Sequence, residues 1–443
     1  MSEIRLSKNR LYLDNAATSF PKPPEVLQAM IHYAEQIGAS AGRGGYAEAR
    51  ASAETLRICR QRLCTLFNGE NPDHFIFTLN CSDALNMVIH GWLKPGDHAI
   101  CTAMDHNSIL RPLNDLMRRQ MITQTRIAAD PTTGGVDPDD IRKAIRPRTR
   151  LIATAHAGNV TGTVQRIAEI GSIARRANVA FLVDAAQTAG HLPIDVQAQD
   201  IDFLACPGHK GLLGPLGTGC LYIRPGLEKH LRTSRQGGTG SVSERDTQPD
   251  FMPDRWEPGS HNAIGLAGLS EGIAWVLHKG VANIAAHERA LSTTFLEGLA
   301  GVEELRFFGP RNMADRVGVW SVRIEGRGPL ALADQLEKEF GILTRAGLHC
   351  APLAHRTMGT DQPPDLAVPT DVGTTRLSFG PFNTLQESQF AAAALAALAV
   401  RKTSPPVSAI RPPRGLTYVR DQNTPIPYFC GGYSQKNSDP SSK

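Results

Sequence analysis

The chain has 443 residues, 41% hydrophobic and 20% charged, with a formal net charge of +4. Such values fit a folded chain of two or three domain-sized units. The small charge and the lack of a dense Lys/Arg block give no support to a nucleic-acid groove or a polybasic membrane patch.

The N-terminal MSEIRLSKNRLYLD lacks an apolar signal core, and no run of about 18 apolar residues is present to span a bilayer, so a cytoplasmic location is expected. Helical spacing of apolar residues then predicts helices in PPEVLQAMIHYAEQI and RASAETLRICRQRLCTLF. The short runs HFIFTL, HAICTA, TRLIATA, VAFLVDAA, DFLACP and GCLYI read as strands between further helices. Strands alternating with helices predict an α/β fold, a mostly parallel sheet flanked by helices. Past about residue 275 the texture changes. GIAWVLHKG, IAAHERALSTTFLEGLA and the closing SQFAAAALAALAVRK read as helices, and VGVWSVRI and TTRLSFG as strands. The expected division is a large domain over 15–275, a smaller α+β domain from 1–14 and 276–402, and a Pro/Ser-rich tail over 403–443. Eight scattered cysteines without a C-x-x-C pair are expected to remain thiols. Cys101, Cys206 and Cys220 sit in apolar runs and read as core; Cys430 in the tail reads as an incidental thiol.

In parallel sheets ligands collect at the carboxyl ends of the strands. Those positions hold Asn80, Cys81, Ser82 and Asp83; Asp105, His106 and Asn107; His156 and Asn159; Asp184 and Gln187; and His209 and Lys210. Singly, each has an ordinary reading. Ser82 and Asp83 could be helix N-caps, His106 a loop histidine, Asp184 a cap and Lys210 a solvated charge. Together they suit one chemistry. A helix N-terminus with a hydroxyl accepts a phosphate, a carboxylate keeps a ring nitrogen protonated, a lysine condenses with an aldehyde, and an imidazole stacks on a flat ring and moves protons. Phosphate, pyridinium and aldehyde together describe pyridoxal 5′-phosphate. There is no G-x-G-x-x-G after the first strand and no P-loop signature, so a dinucleotide or nucleotide site has no support. Without H-E-x-x-H or paired C-x-x-C, no metal site is expected.

With LDNAATS, HNSILRPL, HAGNVTGTVQRIAEI, VDAAQTAGHLPIDV, DFLACPGHKGLLGPLGTGCLYIR, EPGSHN and RAGLHCAPLAH in place, the chain resembles the class V aminotransferase family of fold-type-I pyridoxal-phosphate enzymes. Within it, the resemblance is to cysteine desulfurases and selenocysteine lyases, from residue 12 to 384. It implies that Lys210 holds the cofactor covalently, that Asp184 pairs with the ring nitrogen, that Gln187 and Asn159 meet the ring hydroxyl region, and that His106 stacks on the ring. Ser82, Cys81 through its backbone, His209 and Ser260 of the partner subunit would hold the phosphate. Arg376 would clamp the substrate carboxylate, with Asn15, Asn159 and Arg345 on the substrate side. Cys350 would take sulfur from L-cysteine, leaving alanine and a persulfide; Arg345 and His349 are the nearby groups that could lower its pKa. A buried structural thiol is the rival reading of Cys350. A homodimer, a sulfur-acceptor protein and a place in sulfur metabolism such as iron–sulfur cluster assembly are also implied. Selenocysteine lyase, and an aminotransferase or C–S lyase on the same fold, are the competing activities. A scaffold that only binds sulfur carriers is a reading of another class. The chain departs from the pattern where Asn80-Cys81-Ser82 replaces Gly-Thr-Thr and Pro207 replaces serine. Both changes remove hydroxyls, so phosphate binding is expected to lean on backbone N–H groups.

Overall fold

Apolar runs such as AFLVD and FLACP are the pattern of strands covered on both faces. The structure, a computed structural model, describes residues 10–42, 44–362 and 371–401. Residues 1–9 and the expected tail over 403–443, with Cys430, lie outside the described residues.

In chain order the first elements are β1 (Leu11–Tyr12), α1 (Pro24–His32), α2 (Ala47–Phe67), β2 (Phe75–Thr78), α3 (Cys81–Trp92), β3 (Asp97–Thr102), α4 (Asn107–Arg118), β4 (Ile122–Ile127), α5 (Pro138–Ala144), β5 (Thr149–Ala155), α6 (Ile167–Arg176), β6 (Ala180–Asp184), β7 (Phe203–Pro207) and β8 (Gly219–Ile223). The chain continues with α7 (Ala263–Lys279), α8 (Val281–Glu297), β9 (Leu305–Phe308), β10 (Val319–Ile324), α9 (Pro329–Phe340), β11 (Ile342–Leu343), β12 (Arg345–Gly347), α10 (Pro352–Thr357), β13 (Thr374–Ser378) and α11 (Leu385–Ala399).

Seven strands form one sheet in the order β2-β8-β7-β6-β5-β3-β4. Neighbours from β7 to β4 pair parallel, while β8 runs antiparallel to both β2 and β7. Leu63 and Phe67 of α2, Ile170 of α6 and Leu269 and Ile273 of α7 cover one face. Leu85 and Val88 of α3 and Ile109 and Leu113 of α4 cover the other. Each such side chain contributes about 1.5–3 kcal/mol when fully buried, so both faces hold the sheet. The expected fold class is the one found: a mostly parallel sheet between helices, followed by a smaller α+β part. Cys101, Cys206 and Cys220 are buried in it. No helix among the described residues is long and apolar enough to cross a membrane.

A second, antiparallel sheet has the order β12-β13-β10-β9. Phe295 of α8, Leu332 and Leu336 of α9 and Leu395 of α11 pack against its Trp320 and Leu377. The N-terminal β1 pairs with β11, and Leu13 enters this second core. That pairing delivers Asp14 and Asn15 to the junction of the two sheets.

Candidate active site

Each parallel strand releases its chain at the same edge, and local chemistry shapes each turn beyond it. After β2, Asn80 caps α3: its side chain accepts the Asp83 N–H at 2.9 Å, and the Asp83 carboxylate accepts the Leu79 N–H at 3.1 Å. The N-cap is therefore Asn80, not Ser82 or Asp83: its side-chain oxygen takes a first-turn N–H that has no intrahelical acceptor. The Cys81 and Ser82 N–H groups remain without an intrahelical acceptor. The Ser82 hydroxyl lies 2.6 Å from that of Ser108.

His106 caps α4. Its Nδ1 accepts the Ser108 N–H at 3.1 Å and lies 2.9 Å from the Ser108 hydroxyl. A neutral ring so held carries its proton on Nε2. Burial, partly opposed by Asp184, brings the His106 pKa down to about 4, so the ring is neutral near pH 7. Asp184 ends β6, with Oδ1 accepting the Ala186 N–H at 2.9 Å and the Cys81 S–H at 3.3 Å. Gln187 turns its amide to the Ala16 carbonyl at 3.1 Å.

The turn after β7 carries Lys210 between glycines chosen for close approach, not for backbone handedness. A Cβ on Gly208 would meet Thr218 Oγ1 at 2.2 Å, and one on Gly211 would meet the Ala189 carbonyl at 2.3 Å. Lys22 and Ser19 brace this turn from the N-terminal segment: Lys22 Nζ donates to the His209 carbonyl at 2.7 Å, and Ser19 Oγ to that of Lys210 at 2.7 Å. Burial pushes the Lys210 pKa down to about 8, with Asp184 pulling the other way and Arg376 adding to the fall. The Lys210 amine makes no hydrogen bond with a described residue.

An open cavity of about 550 Å³ joins these groups. Its wall carries Asn80, Cys81, Ser82, Ser108 and His209 toward the N-terminus of α3, and His106, Asn159, Asp184, Gln187 and Lys210 around the strand ends. Four residues of the strand-end set, Asp83, Asp105, Asn107 and His156, do not line the cavity. Asp105 accepts the Thr102 N–H at 2.6 Å and the Ala155 N–H at 2.8 Å, stapling β3 to β5. His156 is buried, and burial draws its pKa down to about 4.

Asn15, Arg345, Cys350 and Arg376 are not among the residues that line this cavity; Arg345 and Arg376 sit on β12 and β13 of the second sheet, and Arg376 joins it to the cavity residue Asn159. Arg376 is 1% exposed; it pairs with Asp14 at 2.8 Å and donates to the Asn159 carbonyl at 3.1 Å. The Asn15 amide holds the Ser378 carbonyl at 3.1 Å. Cys350 is exposed, which excludes the buried structural thiol, and Arg345 Nη2 lies 3.8 Å from its sulfur. The Asn107 N–H donates to the Cys350 carbonyl at 2.9 Å and the Asn159 amide to that of His349 at 2.6 Å, so the thiol's loop is tied to the cavity wall. His349 does not supply charge to Cys350. Its ring is buried against Thr374, and burial drives its pKa well below the ordinary value. Ser260 stands apart: in its own chain it lines a different hollow, with Arg235 and Trp256. Ser108, Lys22 and Asp14 are site neighbours that periodicity and capping rules do not reveal.

The donor set fits pyridoxal phosphate. An unengaged amine shares the cavity with a carboxylate whose Oδ2 takes no hydrogen bond from a described residue. A hydroxyl and two free N–H groups open α3, and the buried Nδ1 of His209 has no partner among the described residues. A phosphate suits such a helix end.

A fold and donor set of this kind suit a pyridoxal-phosphate-dependent enzyme. The family profile described as aminotransferase class-V matches residues 11–389, and the chain belongs to that family. It is 33% identical over 391 residues to a probable cysteine desulfurase of Methanothermobacter thermautotrophicus, covering 87% of this chain and 94% of the relative. It is 32% identical to a probable cysteine desulfurase of Pyrococcus abyssi, over 87% of this chain and 93% of that one. Among solved structures, an apo cysteine desulfurase from Thermococcus onnurineus superposes with a TM-score of 0.80 at 30% identity, covering 90% of this chain and 99% of the other.

Proposed function

We propose that this protein is a pyridoxal-phosphate-dependent cysteine desulfurase that converts L-cysteine to L-alanine and receives the sulfur on Cys350. One observation carries the reading beyond the family. The exposed Cys350 thiol stands beside Arg345, on a loop bonded to the residue after His106.

Pyridoxal phosphate, when bound, supplies an aldehyde for the substrate amine and a protonated ring that draws in carbanion charge. Lys210 would hold it, Asp184 would meet the ring nitrogen, and Ser82 with the first N–H groups of α3 would hold the phosphate. The Lys210 amine would serve as the base for the substrate α-proton, since burial keeps much of it neutral near pH 8. His106 is poorly suited to act as that base. Its Nδ1 is already engaged and its Nε2 bears the proton, so the ring acts as a donor. Arg376 offers its guanidinium to the substrate carboxylate, and Asn15 and Asn159 line the approach. The Cys350 thiolate attacks the substrate sulfur. The S–Cβ bond breaks, the new S–S bond forms, and the Cβ electron pair takes up a proton, so cysteine and thiol become alanine and persulfide without an added oxidant.

We read the molecule as a homodimer. Supporting this, Ser260 lies outside its own chain's Lys210 cavity, and Leu79 and Leu216 near it are 57% and 69% exposed, an apolar surface suited to a second copy. Arg60 and Glu257 form a buried ion pair at the base of the Ser260 segment; His261 Nε2 lies 2.6 Å from Glu257, which also accepts the Phe77 N–H at 2.6 Å. Seven described cysteines are free thiols, which supports a reducing, cytoplasmic setting, and a sulfur-acceptor protein is a further expected partner.

The test is turnover of L-cysteine by the holoenzyme with a thiol reductant present. Alanine and sulfide should appear in equal amounts, without a 2-oxo acid, and Cys350→Ala should lose at least about 100-fold in rate, as removal of a covalent nucleophile does. Parent-like sulfide release by Cys350→Ala contradicts the reading.

A further inference from the structure

Residue 81 carries a thiol at the start of α3, where the pattern this chain resembles has a hydroxyl. The side chain is buried, and its sulfur lies 3.3 Å from Asp184 Oδ1. The same oxygen accepts the Ala186 N–H at 2.9 Å. An ionised carboxylate has about four acceptor positions on two oxygens. With both protein donors gathered on Oδ1, the plane of the group is fixed, and Oδ2 is left without a partner among the described residues. Asp184 lines the cavity, as does Lys210. The thiol remains a donor: burial first, then the charge of Asp184, push its pKa well above the ordinary range.

We propose that Cys81 is a positioning residue for Asp184. Its S–H and the Ala186 N–H together lock one carboxylate oxygen, so that the other is presented to the cofactor's ring nitrogen. This rests on the function proposed above and gives the side chain a role separate from the backbone contact to phosphate. A hydrogen bond to a charged acceptor is among the stronger ones, although S–H is a weak donor. Its loss should loosen the carboxylate and weaken the grip on the cofactor while leaving Lys210 and the phosphate cradle in place.

The experiment titrates cofactor-free parent, Cys81→Ser, Cys81→Ala and Cys81→Val with pyridoxal 5′-phosphate. It reads the dissociation constant, the visible absorbance of the bound cofactor and the pH midpoint of that band. Serine keeps a donor, whereas alanine and the fuller valine remove it. Alanine and valine should each weaken binding about five- to tenfold and shift the pH midpoint, and serine should stay within about twofold of the parent. Parent-like constants and spectra in alanine and valine overturn the inference. So does serine as weak as alanine, which would make residue 81 a matter of packing. A parent that takes up no pyridoxal phosphate overturns the proposed function and this inference together.

Discussion

Lys210 owes its reactivity to its surroundings. An exposed lysine titrates near 10.5, whereas burial brings this one to about 8 even with Asp184 acting against the fall. Only the neutral amine attacks an aldehyde. The rate at which cofactor-free protein captures pyridoxal phosphate should therefore rise with pH and level off above about 8, read by stopped-flow absorbance. Lys210→Arg should abolish the covalent capture. A rate still climbing toward 10.5 contradicts the role given to burial. His106 shows the opposite use of burial: its pKa falls to about 4, and the ring stays a neutral donor across the working range.

At the scale of elements, the decisive piece is the loop between β12 and α10. His349 and Cys350 both take positive φ, 48° and 57°, without being glycine. Such residues cost about 1–3 kcal/mol each and persist only where surroundings hold them. Two hydrogen bonds do so, from the Asn107 N–H and the Asn159 amide. Asn159→Ala should speed amide hydrogen exchange over 348–351 about tenfold, the effect of one hydrogen bond of about 1.4 kcal/mol. Unchanged exchange would mean that Asn159 does not brace the loop. Much of this architecture is legible in the sequence because parallel strands advertise themselves. Runs such as AFLVD must be buried, and the residues after them must lie at one edge of the sheet. That logic brings His106, Asp184 and Lys210 together from positions far apart in the chain. It misses β4, whose Thr123, Gln124, Thr125 and Arg126 belong to a sheet edge that needs no apolar run. It also misses Ser108, Lys22 and Asp14, whose roles depend on contacts with His106, His209 and Arg376 that no local pattern encodes. His349 reads as a charge donor in sequence because burial of its ring is a tertiary fact.

For the whole molecule, the site exists because two sheets meet. The first supplies the cavity; the second supplies Arg345 and Arg376, cross-strand neighbours on β12 and β13. Like charges placed opposite each other are unfavourable, and here Asp14, carried in beside β1, offsets one of them. The remaining positive charge, on Arg345, stands beside the Cys350 thiol. In the proposed function, sulfur crosses from the substrate to the thiol at this junction. Peptide mass spectrometry of the holoenzyme, after L-cysteine without reductant, examines that crossing itself. The Cys350 peptide should gain the mass of one sulfur atom, with one alanine released for each gain. Alanine release with an unmodified Cys350, or sulfur found on another cysteine instead, would contradict it.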